Sequence, residues 1–150
     1  MQLAIDKAKE GIAIGQSPFG AIIVKSDKII AADHNTVWKT CDPTAHAEVN
    51  AIRVACRREK TIDLCQCVIY TTCEPCPMCL TAIHWAKIEH IYFGATIDDA
   101  RAATFKELRF SAKELARRGK SHLVVHDGIC RQSCIELFTL WKKKSLCASY

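Results

Sequence analysis

The chain has 150 residues, of which 49% are hydrophobic and 25% are charged. A chain of this length buries a sufficient core on its own, and this composition excludes a disordered, collagen-like or coiled-coil protein. The sequence contains no internal repeat and no linker-like stretch, so we expect a single domain over residues 1–150. The formal net charge of +5 is compatible with a nucleic acid partner but does not require one.

Cysteine is the residue type with an unusual frequency, because ten occur in the chain. This is about 7%, just under the roughly 8–10% that is typical of short secreted disulfide scaffolds. Charged residues near the N-terminus argue against a signal peptide, and no apolar run is long enough for a membrane helix. We therefore expect a cytoplasmic protein without membrane contact, in which clustered cysteines bind metal or catalyse rather than form disulfides.

The first half of the chain predicts two helices with a strand pair between them. Its elements are, in chain order, a helix over residues 2–14, a hairpin of strands 21–25 and 28–32, a loop over 33–44 and a helix over 45–59. The two strands are joined by only Ser26 and Asp27, which favours an antiparallel pair.

The second half predicts strictly alternating strands and helices. Its elements are a strand over residues 67–71, a helix over 76–87, a strand over 88–94, a helix over 99–118, a strand over 123–125 and a helix over 130–143. Alternation favours parallel strands joined by right-handed crossovers. We therefore predict an α/β fold, a three-layer α/β/α sandwich with a five-stranded mixed sheet, whose ligand lies near the carboxyl ends of the strands.

Two short motifs lie at the starts of predicted helices. His46 and Glu48 are two residues apart, and Cys76 and Cys79 are three residues apart. One imidazole and two thiolates form a soft nitrogen and sulfur ligand set that selects zinc. Because a structural zinc site usually has four protein ligands, a set of three predicts a catalytic zinc with one position left for water.

The position of both motifs at helix starts favours this interpretation. Unpaired N–H groups at a helix N-terminus stabilise thiolates, which are the form of cysteine that binds metal. Cys76 and Cys79 are expected on the same side of their helix, where they can share one ion. Glu48 is not needed as a ligand, so its carboxylate is free to take a proton from the water and return it to the substrate.

The arrangement of His46 and Glu48 followed by Pro75, Cys76 and Cys79 resembles the signature of zinc-dependent nucleobase and nucleoside deaminases of the cytidine deaminase-like fold. The resemblance covers nearly the whole chain, because the order of the predicted elements matches as well. It implies a hydrolytic enzyme with one Zn²⁺ per chain. It also implies that His46, Cys76 and Cys79 bind the metal and that Glu48 is the proton shuttle.

Finer matches resemble the bacterial guanine deaminases most closely. They are Pro18–Ala21, Asn35, Asp42–Val49, Glu74–Cys79 and Ile83–Ala86. The resemblance implies that Asn35 and the Ala47 region bind the base and that Phe19 and Trp85 stack on it. It also implies an acidic residue that grips the amino edge of the base and protonates the leaving ammonia. Where those enzymes have an aspartate, this chain offers Glu107, which is one methylene longer.

Two alternative substrates remain open. tRNA-specific adenosine deaminases resemble the chain at Asn35, at residues 42–48 and at residues 93–95. For such an enzyme the basic residues within 101–120 and Lys142–Lys144 would contact phosphates, although a solvated helix face explains them as well. The longer acid at Glu107 is also compatible with another amino-heterocycle, such as cytosine. A zinc-stabilised binding module is disfavoured, because it has no use for Glu48.

The resemblance also implies a homodimer. We expect its apolar face to be formed by Ile83, Trp85, Ile88 and Tyr92. The cysteines outside the motif, including Cys73 and Cys147, are interpreted as buried core or surface residues.

Overall fold

The computed structural model describes residues 1–144, so Cys147 lies outside the described residues. Five strands form one sheet in the order β2-β1-β3-β4-β5. The strands are β1 (Gly20–Lys25), β2 (Lys28–His34), β3 (Cys67–Cys73), β4 (His90–Ala95) and β5 (Val124–His126). β1 pairs antiparallel with β2 and with β3, whereas β3, β4 and β5 run parallel. The predicted mixed sheet, with the hairpin at one side, is confirmed.

Helices cover both faces of this sheet. They are α1 (Gln2–Ala13), α2 (Val37–Thr40), α3 (Ala47–Glu59), α4 (Pro77–Trp85), α5 (Ile97–Ala102), α6 (Ala112–Arg118) and α7 (Arg131–Lys144). α3, α4 and α6 pack on one face over a core that includes Ile23, Ile69 and Ile91. α1 and α7 pack on the other face around Ile5 and Leu137. The predicted three-layer α/β/α sandwich is confirmed. Among residues 1–144, no helix is both long and apolar enough to cross a membrane.

The predicted helix over residues 99–118 is wrong, because two short helices replace it. α5 begins earlier than predicted, at a capping box in which Thr96 and Asp99 bond to each other's backbone amides. The chain then leaves the helical path at Thr104, whose φ is 83°, and buries Phe105. A new helix, α6, starts after Ser111, whose side chain accepts a hydrogen bond from the Glu114 amide. The segment 103–111 between them is irregular, and it carries Glu107.

The loop predicted over residues 33–44 is also partly wrong. β2 continues to His34, and the short helix α2 occupies residues 37–40. α2 ends at Cys41, which adopts the left-handed conformation with a φ of 50°. A single turn of helix has too few residues to show a periodic hydrophobic pattern, so the sequence did not reveal it.

The predicted dimer face is wrong in two of its four residues. Ile83 and Ile88 are completely buried within their own chain, where they belong to the core beneath α4. Trp85 is 74% exposed, and Tyr92 is half-buried against Tyr70 and His126 on the opposite face of the sheet. The homodimer itself stays a prediction.

Candidate active site

Three metal-ligating side chains meet where α3 and α4 begin. His46 Nδ1 lies 3.8 Å from Cys76 Sγ and 3.5 Å from Cys79 Sγ. Nitrogen and sulfur ligands of a tetrahedral zinc ion, at roughly 2.05 and 2.3 Å from the metal, lie about 3.6 Å apart. All three ligand atoms lie within 4.8 Å of one another. The cluster therefore fits zinc in both donor chemistry and spacing, as the sequence predicts.

The local backbone explains why these residues converge. His46 and Cys76 are the N-cap residues of α3 and α4, and both have extended backbone angles before the helix begins. Pro77 at the first helical position favours this start, because its ring already has a helical φ. Two helix N-termini thus point at the cluster, and their dipoles favour the thiolate form of the cysteines.

The two cysteine ligands have thiol pKa values that are shifted in opposite directions. A hydrogen bond from the Cys79 thiol is the main cause that lowers the pKa of Cys76 to about 4, and a hydrogen bond with His46 adds to it. The same bond to Cys76, together with burial, raises the pKa of Cys79. The contacts of Cys76 therefore favour its thiolate, which is the form of cysteine that binds metal.

Glu48 lies in the first turn of α3, where it is only 7% exposed. Burial raises the pKa of its carboxyl to about 7, and the neighbouring Cys76 thiolate contributes to the increase while His46 opposes it. A side chain whose pKa lies near the working pH both accepts and releases protons efficiently. Zinc in such a site supplies Lewis acidity that makes a water molecule easier to deprotonate, and Glu48 is placed to receive that proton.

A small cavity opens beside the ligand cluster. Its lining residues are Phe19, His46, Glu48, Cys73, Glu74, Cys76 and Glu107. Glu107 reaches it from the segment 103–111 and is half-buried there. Burial raises the pKa of Glu107 above its usual range, and the Cys76 thiolate contributes to the increase. The cavity therefore brings Glu48 and Glu107 together with an aromatic ring and two of the metal ligands, although Glu107 is far from the motif in sequence.

Trp85 does not reach this cavity. It lies at the last position of α4, whereas Cys76 lies just before the first, about 13 Å away at the helical rise of roughly 1.5 Å per residue. Trp85 is exposed beside His84 and His122 at the opposite end of the helix. The prediction that Trp85 stacks on the base is therefore wrong for the site of its own chain.

Asn35 and Ala47 each adjoin a residue that lines the cavity: the Asn35 amide donates to the Phe19 carbonyl, and Ala47 follows His46. Both are buried, and neither lines the cavity. The Asn35 side-chain oxygen accepts a hydrogen bond from the Val37 amide at 3.1 Å, at the start of α2. Ala47 is the first residue of α3 and follows His46 directly. Their contacts to the base stay predictions.

Two wall residues had no predicted role in binding. Cys73, interpreted as a buried thiol, is 7% exposed at the end of β3, which confirms its burial. Glu74 follows it and is 9% exposed. Glu74 is part of the segment that resembles guanine deaminases, but nothing in its spacing shows that its carboxylate accepts hydrogen bonds from two backbone amides.

Comparisons with known proteins agree with this site. Residues 1–95 match the family model of the cytidine and deoxycytidylate deaminase zinc-binding region. The chain is 39% identical to guanine deaminase of Bacillus subtilis over 143 residues, which are 95% of this chain and 91% of that enzyme. It is 46% identical to a tRNA-specific adenosine deaminase of Aquifex aeolicus over 95 residues, which are 63% of each chain.

Solved structures give the same picture of the fold. A guanine deaminase from Nitrosomonas europaea superimposes with a TM-score of 0.86 at 25% identity, covering 95% of this chain and 82% of that one. A structure from a study of A-to-I editing by tRNA deaminases superimposes with a TM-score of 0.80 at 30% identity, covering 91% and 96%. The matched region contains His46, Glu48, Cys76 and Cys79, and this chain belongs to the cytidine and deoxycytidylate deaminase zinc-binding family as a zinc-dependent hydrolytic deaminase.

Proposed function

We propose that this enzyme deaminates guanine to xanthine and ammonia. The observation that carries the proposal is the Glu107 carboxyl on the cavity wall, near the metal ligands. Guanine differs from adenine and cytosine in presenting an N1–H and a 2-amino group side by side, and a carboxylate accepts hydrogen bonds from both. The similarity to Bacillus subtilis guanine deaminase, which extends over 95% of this chain, supports the same substrate.

The two carboxyl groups divide the proton transfers. Water adds to C2 of the base, the bond from C2 to the 2-amino nitrogen breaks, and the oxygen of the water remains on C2 as the new carbonyl. The two protons of the water end on N3 of the ring and on the departing amine. Glu48 takes the first proton from the water and delivers it to the ring. Glu107, which lies at the amino edge, receives the second proton of the water and passes it to the leaving nitrogen.

The remaining base contacts complete the pocket. Phe19 lines the cavity and offers a ring face for stacking. Asn35 supplies an amide donor for the acceptor edge of guanine, and the Ala47 backbone at the start of α3 supplies a polar contact close to His46. Free thiols at all nine cysteines within residues 1–144 support a reducing compartment such as the cytoplasm.

A second candidate is deamination of adenosine in tRNA. It is favoured by the 46% identity to the Aquifex aeolicus enzyme and by exposed basic residues on α6, such as Lys113 and Arg117. Salt separates the two candidates. Turnover of a neutral base changes little with ionic strength, whereas binding of tRNA weakens steeply because bound counterions must be released.

The test is an ammonia-release assay across guanine, adenine, cytosine, their nucleosides and a tRNA stem-loop. We expect guanine to be the best substrate and its turnover to be insensitive to salt. A preference for the tRNA stem-loop, with strong salt dependence, would instead establish the second candidate. A preference for cytosine would contradict both.

A substitution at Glu107 tests the recognition element itself. We expect Glu107→Gln to lower guanine turnover by roughly a hundredfold or more, because the amide cannot protonate the leaving amine. The loss should be at least as large as that caused by Asn35→Ala, which removes only binding. Glu10→Gln, the same chemical change at an exposed site on α1, should retain normal turnover. Unchanged activity of Glu107→Gln on guanine contradicts the proposal.

A further inference from the structure

Glu74 holds the beginnings of two helices with one carboxylate. Its Oε2 accepts a hydrogen bond from the Ile97 amide at 3.1 Å, and its Oε1 accepts one from the Ala112 amide at 2.7 Å. Ile97 is the first residue of α5, and Ala112 is the first residue of α6. Both bonds are buried, and Glu74 itself is 9% exposed. Each of its two oxygens therefore accepts a hydrogen bond from the first residue of a different helix.

These two amides have no other acceptor in their own caps. The N-cap side chains Thr96 and Ser111 accept hydrogen bonds from the third residue of each helix, which are Asp99 and Glu114. The first amide of a helix has no carbonyl partner within the helix and needs one from elsewhere. A carboxylate at two helix N-termini satisfies both amides and interacts favourably with both dipoles.

The segment between these two helices carries Glu107. Residues 103–111 run from the end of α5 to the N-cap of α6 without regular structure. Arg101 donates a hydrogen bond to the Glu107 carbonyl at 3.0 Å, and Phe105 packs on Phe19 with ring centroids 4.9 Å apart. Glu74 fixes the helix on each side of this segment. Its own amide donates to the Ala95 carbonyl at 2.8 Å, which ties it to the end of β4.

We propose that Glu74 is a positioning residue that sets the place of Glu107 relative to the metal cluster. Glu74 is two residues before Cys76, so one short piece of backbone links the metal ligand to the segment that supplies the second carboxyl. The inference rests on the proposed role of Glu107 at the base. A displacement of about 1 Å in a reacting group lowers turnover by up to roughly a hundredfold, so such a tether has a direct kinetic effect.

Glu74→Gln is the sharpest substitution, because it changes one acceptor into a donor and keeps the shape. The amide nitrogen of Gln faces a backbone N–H, so one of the two helices loses its bond. We expect kcat on guanine to fall roughly ten- to a hundredfold with zinc content unchanged. Glu10→Gln, which neutralises an exposed carboxylate on α1, serves as the matched control and should behave as the wild type.

A double substitution separates positioning from a general structural role. If Glu74 acts through Glu107, Glu74→Gln costs little further turnover in a chain that already carries Glu107→Gln. Fully multiplicative losses would overturn the inference. So would loss of zinc in the Glu74→Gln protein, because Glu74 would then support the metal site and not Glu107.

Limited trypsin digestion gives a readout that does not depend on guanine. Lys106 and Arg109 are exposed cleavage sites within segment 103–111. We expect Glu74→Gln to be cut there several-fold faster than the wild type or Glu10→Gln, because the tethered segment opens more often. Equal cutting rates would overturn the tether. If Glu107→Gln has normal activity while cutting is faster in Glu74→Gln, the proposed guanine contact fails and the tether stands.

Discussion

Glu48 shows how one buried residue acquires a chemical role. In water its carboxyl would be fully ionised at neutral pH and would be a poor proton donor. Burial in the first turn of α3 raises its pKa to about 7, so both protonation states are populated near neutrality. Its neighbours His46 and Cys79 place it at the metal cluster. The result is a group that accepts a proton from water and can also release it.

Glu48→Gln should separate metal binding from proton transfer. The amide keeps the size of the side chain but cannot cycle a proton, so we expect turnover to fall roughly 10²- to 10⁴-fold. Zinc measured by elemental analysis should remain at one per chain. Glu10→Gln, at an exposed position on α1, is the control and should leave turnover unchanged. Near-normal turnover in a zinc-loaded Glu48→Gln protein would contradict the role of this residue.

At the residue scale, the spacing of residues in the sequence predicts those parts of the site that depend on local helix geometry. The zinc set of His46, Cys76 and Cys79 follows from donor type and helix position, and the structure brings the three together. The prediction for Trp85 was wrong because the resemblance to guanine deaminases does not show which end of α4 faces the cavity. Glu74 was overlooked because its partners, Ile97 and Ala112, are remote in sequence.

At the scale of elements, α7 supports the cavity from behind. Its Phe138 and Trp141 are buried and contact two aromatic rings near the site. Trp141 lies 4.8 Å from Phe105 between ring centroids, and Phe138 lies 6.0 Å from Phe19. Phe19 lines the cavity, and Phe105 precedes Glu107 by two residues. The last helix thus contacts both walls through a continuous aromatic cluster.

Trp141→Ala tests this support. Removing a buried aromatic side chain leaves a void, and we expect the free energy of unfolding to fall by about 3–5 kcal/mol in urea denaturation. We also expect guanine turnover to fall at temperatures where the variant is still folded, because Phe105 loses its packing partner. Thr139→Ala, on the exposed side of the same helix, should change stability by less than about 0.5 kcal/mol. Equal stability of the two variants would contradict this account.

At this scale, the sequence did not predict the irregular segment 103–111. The long helix predicted over 99–118 satisfied a helical pattern of charged residues, yet the structure breaks it at Thr104. The break depends on tertiary contacts, since Phe105 joins the aromatic cluster and Glu74 holds both flanking helices. Local propensity contains neither of these interactions. The strands and the other long helices were predicted closely, because each has a hydrophobic face that its sequence reveals.

At the scale of the whole molecule, the order of the strands assembles the site. α3 comes immediately before the central strand β3 and α4 immediately after it, so their N-termini can meet at one end of the sheet. Alternation along the sequence predicts this arrangement. It does not predict how closely α1 lies on β1, where a Cβ at Gly20 would clash with the Ala4 carbonyl oxygen. Such contact depends on the absence of a side chain, which carries no hydrophobic signal.

The metal ligands belong to two helices, with His46 30 residues from Cys76 and 33 from Cys79 in sequence. A bound zinc ion would therefore cross-link the start of α3 to the start of α4. We expect zinc to slow unfolding markedly and to leave refolding nearly unchanged, because the ligands converge only after the long-range strand pairings have formed. Stopped-flow kinetics with and without a chelator measure both rates, and refolding accelerated by zinc would contradict this order of events. The working lifetime of the enzyme is then governed by how fast the metal dissociates rather than by the equilibrium stability of its sheet.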